Sequence, residues 1–217
     1  MNVLVACESS DTVTDAFKKR GHSAKSCDLK PSEHNRVDHL QCDMRTLDYS
    51  GIDLLIAHPD CTYLAVSGAR WWKGREKEQL EAIEFVKWIA RLPVLRIAIE
   101  NPVGILSTVW RKPDQIIQPW MFGDDASKAT CLWLEGLTCL KPTNFVNPHY
   151  RCRCGYRFEY ELGKYGCPNC CGEKTAKLVF GNQTPSGQNN EPPSPNQKAN
   201  RARTYQGIAK AMAEQWG

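Results

Sequence analysis

The chain has no long apolar run. Nowhere in its 217 residues does a hydrophobic stretch approach the roughly 20 residues a helix needs to cross a bilayer, which excludes a membrane partner from the expected classes. A secretory leader pattern is also missing: Met1 runs almost directly into Val3-Leu4-Val5-Ala6, too short an apolar core for export. There is no internal repeat, which argues against a solenoid. Charge of one sign is scarce, because 28 Lys and Arg against 24 Asp and Glu leave a net charge of only +4. That mild basicity is compatible with nucleic acid without requiring it. Hydrophobic residues at 41% and charged residues at 24% make an ordinary globular balance. The length suits one well-cored domain plus a small module.

Cysteine, by contrast, is plentiful. Of the 11, Cys7, Cys27, Cys42, Cys61, Cys131 and Cys139 are scattered through strand-like segments, whereas Cys152, Cys154, Cys167, Cys170 and Cys171 crowd together. Without an export signal the scattered set reads as reduced core thiols and the cluster as metal ligands, so the expected location is the cytoplasm.

Hydrophobic periodicity sets out an alternating first half. Strands are expected at Asn2 to Cys7, Ala24 to Asp28, Asp53 to Ala57 and Arg96 to Ile99. Helices are expected at Asp11 to Arg20, with Val13, Ala16 and Phe17 inward, and at Glu76 to Ala90, with Leu80, Ile83, Phe85, Val86, Trp88 and Ile89 as a broad apolar face. Alternating strands and helices predict an α/β fold with a doubly wound, mostly parallel sheet. Four stretches follow: a domain over 1–147, a cysteine-rich module over 148–180, a flexible linker over 181–200 rich in Asn, Gln, Pro and Ser, and a closing helix within 201–217 packed through Ile208, Ala211, Met212 and Trp216.

In such sheets ligands bind beyond the carboxyl ends of the strands. Here those ends reach Glu8, Asp28, Pro59-Asp60-Cys61 and Glu100-Asn101-Pro102. A cysteine thiolate is a nucleophile and a glutamate is a proton-holding partner. One right-handed crossover separates Cys61 from Glu100, which brings both to the same rim.

The order Pro59-Asp60-Cys61 then Glu100-Asn101-Pro102 resembles the Pro-Cys and Glu-Asn motifs of cytosine-C5 DNA methyltransferases. Ala6-Cys7-Glu8, His58 to Leu64, Gln118-Pro119-Trp120 and Lys128 to Leu134 extend the likeness to small phage and prophage members, over most of residues 1 to 140 and the final helix. The resemblance implies a Rossmann-like methyltransferase fold, S-adenosylmethionine as methyl donor and DNA as substrate. It implies that Cys61 attacks C6 of the base, that Glu100 supports N3, and that Pro59, Asn101 and Lys128 complete the catalytic set. It places the donor against Ala6, Cys7, Glu8 and Ser9, against Asp28 with Leu29 for the ribose, against Asp43 with Met44 for the adenine amine, and against Pro59 and Tyr205. The sequence departs from the pattern in three places. Ser10 and Asp11 stand near where the family has glycines, Asp60 replaces a proline, and Lys128 and Thr130 align with two arginines.

The second motif is Cys152-Arg153-Cys154-Gly155 followed by Cys167-Pro168-Asn169-Cys170. Four thiolates at this spacing close a tetrahedral Zn2+ site, with Cys171 an alternative to Cys170. Arg151, Arg153, Arg157 and Lys164 interleave with Tyr156, Phe158, Tyr160 and Tyr165, a mixture that suits nucleic acid, although a structural support serves equally.

Several readings stay open. Asp28 and Asp43 also suit helix caps or turns. His58 is either a tuning partner of Cys61 or a hydrogen-bonding residue at a strand end. Trp71 and Trp72, in the segment after Cys61, form a lid or pack against the next helix. Two further functions compete with DNA methylation: the same chemistry on a free cytosine nucleotide, RNA or an already modified base, and a non-catalytic, zinc-dependent nucleic-acid-binding protein on a degenerate fold. Neither the target sequence nor the oligomeric state is legible in the chain.

Overall fold

A computed structural model describes residues 1–152, 154, 156–158, 167, 169, 177–184, 186–194 and 197–217. The chain divides into two compact units: Met1–Ile117 with Ala129–Lys141 and Thr204–Gly217, and Gln118–Lys128 with Pro142–Arg203.

The first unit is built on a seven-stranded sheet. In chain order it contains β1 (Asn2–Ala6), α1 (Thr12–Lys19), β2 (Ser23–Asp28), β3 (His39–Gln41), β4 (Leu54–Ala57), α2 (Glu76–Ile89), β5 (Ile97–Pro102), α3 (Leu106–Val109), β6 (Gln115–Ile117) and β7 (Thr130–Glu135), and it closes with α5 (Gln206–Trp216). The strand order is β3-β2-β1-β4-β5-β7-β6. All neighbours are parallel except β7, which runs antiparallel to both β5 and β6. This is the α/β, doubly wound, mostly parallel sheet that the alternating pattern predicts.

The central strands are apolar over Val3–Ala6, Leu54–Ala57 and Ile97–Ile99 because both sheet faces are covered there. Leu4, Ala6, Leu55, Ala57, Ile97 and Ile99 share a core with Ile83, Val86 and Ile89 of α2. The alternate positions Val3, Val5, Leu54, Ile56 and Ala98 are equally buried. On α1, Val13 and Phe17 are buried, and α5 packs beside that helix through Ile208, Ala211, Met212 and Trp216. One expectation fails. Leu80 is 59% exposed, so the apolar stripe of α2 begins a turn later, at Ile83. The predicted face was too broad because Leu80 lies in the first turns, next to the polar residues Glu76, Glu78 and Gln79.

The second unit has a three-stranded antiparallel sheet, β10-β8-β9, of β8 (His149–Arg151), β9 (Arg157–Phe158) and β10 (Lys177–Val179). Gln118–Lys128 joins it through Thr143 N to Met121 O at 3.1 Å, Val146 N to Trp120 O at 2.8 Å and Gly181 N to Asp125 Oδ1 at 2.8 Å. Trp120 stacks on Phe180 and tilts against Phe145. The stretch expected as a linker contains a hydrogen-bonded turn, with Thr184 N bonded to Gln188 O and Asn190 N to Asn182 O, and then α4 (Gln197–Ala202).

Candidate active site

The strand order reverses between β1 and β4, and the crevice beyond the carboxyl ends at such a switch point is where open α/β sheets bind ligands. Two segments of the first unit follow those ends, the loop after Ala6 and the segment after Ala57.

The loop after β1 turns without glycine. Cys7 and Asp11 adopt left-handed backbone conformations, with φ of 59° and 57°. A non-glycine residue in that region costs about 1–2 kcal/mol, so hydrogen bonds must hold the turn. They do. The Glu8 carboxylate accepts from Val13 N at 2.7 Å, Thr14 N at 3.1 Å and Thr14 Oγ1 at 2.7 Å. It thereby satisfies the open amides at the start of α1, where negative charge is also favoured by the helix dipole. The buried Asp11 carboxylate accepts from Ser26 Oγ at 2.9 Å and Ser32 Oγ at 2.6 Å. With the Glu8 carboxylate turned onto its own helix, what Glu8 offers a ligand is backbone.

Asp28 sits half-buried at the end of β2, and its Oδ1 accepts from Lys30 N at 2.9 Å. Leu29 beside it is 72% exposed. Asp43 accepts from Arg45 N and Arg45 Nε, and the pair holds its carboxyl below the usual carboxylate range. It therefore does the turn work that aspartate favours. Met44 is buried, with its Sδ 3.8 Å from Cys7 Sγ. Burial pushes the Cys7 thiol up to about 12, and the charges of Asp28, Asp43 and Asp60 add to the shift. One sulfur at the end of β1 thus senses acids from three other segments. For a nucleoside-bearing donor this arrangement fits: Asp28 is placed as ribose acids are, and Asp43 lies one strand further along the rim.

On β4 and β5, Ala57 pairs with Ile99, and side chains carry the register onward. His58 Nδ1 lies 2.9 Å from Glu100 Oε2, and Asn101 Nδ2 donates to Pro59 O at 2.8 Å. Cys61 follows in a tight turn, because Leu64 N and Ala65 N both donate to its carbonyl. Asp60 organises the start of that turn by accepting from Thr62 N at 2.6 Å, which gives the residue at the proline position a local structural role. The turn is pinned from outside as well. Val66 N donates to Val103 O and Ile105 N to Leu64 O, and a Cβ on Gly104 would lie 1.9 Å from Leu64 O. Glycine is required there for the close approach. Cys61 therefore lies in the turn after β4 and Glu100 within the neighbouring parallel strand β5, with the segments that follow them laced together.

Of the two tryptophans after Cys61, Trp72 is half-buried while Trp71 is 68% exposed, with the Arg70 guanidinium 4.9 Å from its ring centre. Thr130 is buried opposite Pro102, and burial together with the nearby Glu100 charge pushes the Cys131 thiol up to about 11. Tyr205 precedes α5 and accepts from Ala209 N. Lys128 belongs to the second unit, where its Nζ donates to Arg201 O at 3.1 Å.

In the second unit the sulfurs of Cys152, Cys154 and Cys167 all lie within 4.8 Å of one another, two buried and one exposed. Cys154 Sγ and Cys167 Sγ are 3.8 Å apart. Ligands about 2.3 Å from a tetrahedral zinc ion are separated by about 3.8 Å, so the donor set fits the metal. Phe158, stacked on Tyr150, packs against the two buried cysteines. Cys170, the expected fourth ligand, and its alternative Cys171 lie outside the described residues, as do Arg153, Tyr160, Lys164 and Tyr165.

No family model matches this sequence, and no curated protein matches it. Solved structures do. One is described as a DNA modification methyltransferase encoded within an E. coli prophage, with 14% identity, a TM-score of 0.46, and coverage of 78% of this chain and 56% of that one. Another is the S. pombe Dnmt2 methyltransferase, with 13% identity, a TM-score of 0.39, and coverage of 64% of this chain and 50% of that one. The chain thus spans little more than half the length of the first of these and half that of the second. Among the described residues no helix is long and apolar enough to cross a membrane.

Of the two readings of His58, the hydrogen bond to Glu100 fits the strand-end hydrogen-bonding residue. Sequence reading missed one working part: Gly104 carries no chemistry, and only the approach of two loops makes it necessary. Its place two residues after the Glu-Asn-Pro motif was the available signal.

Proposed function

We propose that the protein is an S-adenosylmethionine-dependent methyltransferase acting on cytosine C5 in DNA. The observation that carries this reading is the pair of neighbouring parallel strand ends, Cys61 after β4 and Glu100 in β5, laced by His58 and Asn101. Cytosine C5 is a poor nucleophile until something adds at C6. The Cys61 sulfur forms a bond to C6, the C5–C6 electron pair moves to C5, and Glu100 holds a proton at N3 to favour the addition. When bound, S-adenosylmethionine supplies an electrophilic methyl group for C5. Loss of the C5 proton to solvent water, with its electron pair reforming C5–C6 as the sulfur–C6 bond breaks, restores the ring and frees the Cys61 thiolate. Pro59 and Asn101 fix the segment that carries the nucleophile. The donor lies against Ala6, Cys7, Glu8 and Ser9, with Glu8 engaged through backbone, and against Asp28, Leu29, Asp43, Met44, Pro59 and Tyr205. Lys128 is assigned to the substrate, and the target base leaves its stack to reach Cys61.

Cys152, Cys154, Cys167 and Cys170 hold zinc in the second unit, which touches DNA. That unit is the basic one, with ten Lys and Arg against six Asp and Glu, whereas the first unit has eighteen of each.

The test is mass spectrometry of DNA from cells making the wild type or Cys61→Ser, alongside transfer assays on duplex DNA and on free cytosine nucleotide. Methylated cytosine is expected in wild-type DNA, reduced at least on the order of 10³-fold by the substitution. Transfer to the free nucleotide alone would move the substrate, and no calorimetric binding of S-adenosylmethionine would sink the enzyme reading.

A further inference from the structure

We infer that His58 is a positioning residue for Glu100, holding its carboxyl group in the plane from which it meets the base. The inference rests on the proposed roles of Cys61 and Glu100 and adds a residue to them.

The argument begins with register. β4 and β5 are paired through Ala57 and Ile99, so positions 58 and 100 fall side by side where the backbone ladder ends. His58 N still donates to Ala6 O, which anchors the backbone of this residue to β1. Its side chain turns the other way along the sheet, toward β5, and places Nδ1 2.9 Å from Glu100 Oε2. The two side chains are only 11% and 10% exposed. A carboxyl group this far from water is costly unless a polar partner meets it, and a buried carboxyl without one rotates or takes up a proton. Imidazole meets it whenever Nδ1 carries the hydrogen, as in the imidazolium and in the Nδ1–H neutral tautomer.

Geometry then decides what this does for the chemistry. A glutamate side chain has three rotatable bonds, and an acid that must meet N3 of a base in line needs them fixed. The bond from a ring anchored to β1 engages Oε2 and sets the carboxyl plane. The same two strand ends are tied once more by Asn101 Nδ2 to Pro59 O, forty-two positions apart in sequence as His58 and Glu100 are. One strap fixes the acid and the other fixes the segment leading to the nucleophile, so the spacing of Glu100 and Cys61 is set by two bonds in one register. Displacements near 1 Å at such sites cost about 10²-fold in rate.

Three variants separate positioning from folding. His58→Phe keeps a ring and removes its nitrogens, His58→Ala removes the ring, and His58→Asn returns an amide N–H close to where Nδ1 stood. Methyl transfer to duplex DNA, S-adenosylmethionine binding by calorimetry and thermal melting are measured on each full-length protein. The expected result is a kcat loss of about 10²-fold in His58→Phe and His58→Ala, with KM and donor affinity held within about threefold and recovery to within about tenfold of wild type in His58→Asn. Near wild-type rates in His58→Phe overturn the inference and leave the Cys61–Glu100 chemistry standing. Equal losses in all three variants, with melting and donor binding falling together, assign His58 to folding and also overturn it. A wild type that binds the donor and transfers nothing fails before any variant is compared. That outcome overturns the reading on which the inference depends.

Discussion

The first unit buries whole strands. Leu54–Ala57 has four apolar residues in a row, all inaccessible, and Val3 to Ala6 and Ile97 to Ile99 repeat the pattern beside it. The second unit has strands of two or three residues and a small described core in which Cys152, Cys167 and Phe158 meet. Cysteine does different work in each. In the first unit burial keeps Cys7, Cys27 and Cys131 as thiols, with values of about 12, about 12 and about 11. In the second, three sulfurs converge at metal-ligand spacing. Charge divides the same way, with the excess of basic residues in the second unit. A core that buries enough apolar surface needs no cross-link, whereas a short-stranded module needs a staple.

The largest expected effect tests that contrast directly. Removing zinc with a strong chelator should unfold the second unit, since a structural zinc site supplies on the order of 10 kcal/mol of folding free energy. Alkylation read by mass spectrometry should then find Cys152, Cys154 and Cys167 newly labelled, while the far-UV spectrum of the first unit and its donor binding persist. Unchanged labelling after chelation would remove the metal from the description.

Next in size is the contrast among thiols within the untreated protein. The reactive form is the thiolate, and raising a thiol to about 12 or about 11 cuts its thiolate fraction near neutral pH by about 10²- to 10³-fold. At pH 8 the exposed Cys139 should alkylate while Cys7, Cys27 and Cys131 stay unmodified over the same interval. Rapid labelling of Cys7 would show that the loop after β1 opens.

A smaller effect separates a helix cap from a ligand contact. Glu8→Gln should destabilise the first unit by about 1–2 kcal/mol in urea unfolding, because a charged acceptor of three hydrogen bonds at a helix start is lost. Affinity for S-adenosylmethionine should change by less than about threefold, since the carboxylate faces α1. A large loss of affinity with unchanged stability would reverse that assignment.

The smallest effect concerns the basic unit. Arg157→Ala should weaken DNA binding across all sequences alike and reduce the slope of log affinity against log salt by about 1. An unchanged slope would take this exposed arginine out of the phosphate contacts.

Much of the first unit was legible because its periodicity is strong. Runs such as Leu54-Leu55-Ile56-Ala57, short and set between helical patterns, read as strands covered on both faces, and each was followed by a residue with chemistry. Reading failed where one side chain serves a distant segment. No local rule says that Glu8 caps α1 while Asp11 turns to Ser26 and Ser32, or that Gln118–Lys128 joins the second unit across an intervening strand of the first. Leu80 misled because helical spacing marks a face without telling where its neighbour ends.

By itself the sequence determined the sheet, the rim and the inventory on it: a cysteine, a glutamate and a cluster of closely spaced thiols. These follow from local pattern, because hydrophobic period and motif spacing are written residue by residue. The tertiary structure alone decided the partners. Parallel pairing brought His58 to Glu100 and Asn101 to Pro59 across 42 positions, and a missing Cβ at Gly104 let two loops touch. Contacts of that range depend on register and on the closure of the sheet, and neither is encoded at a single position.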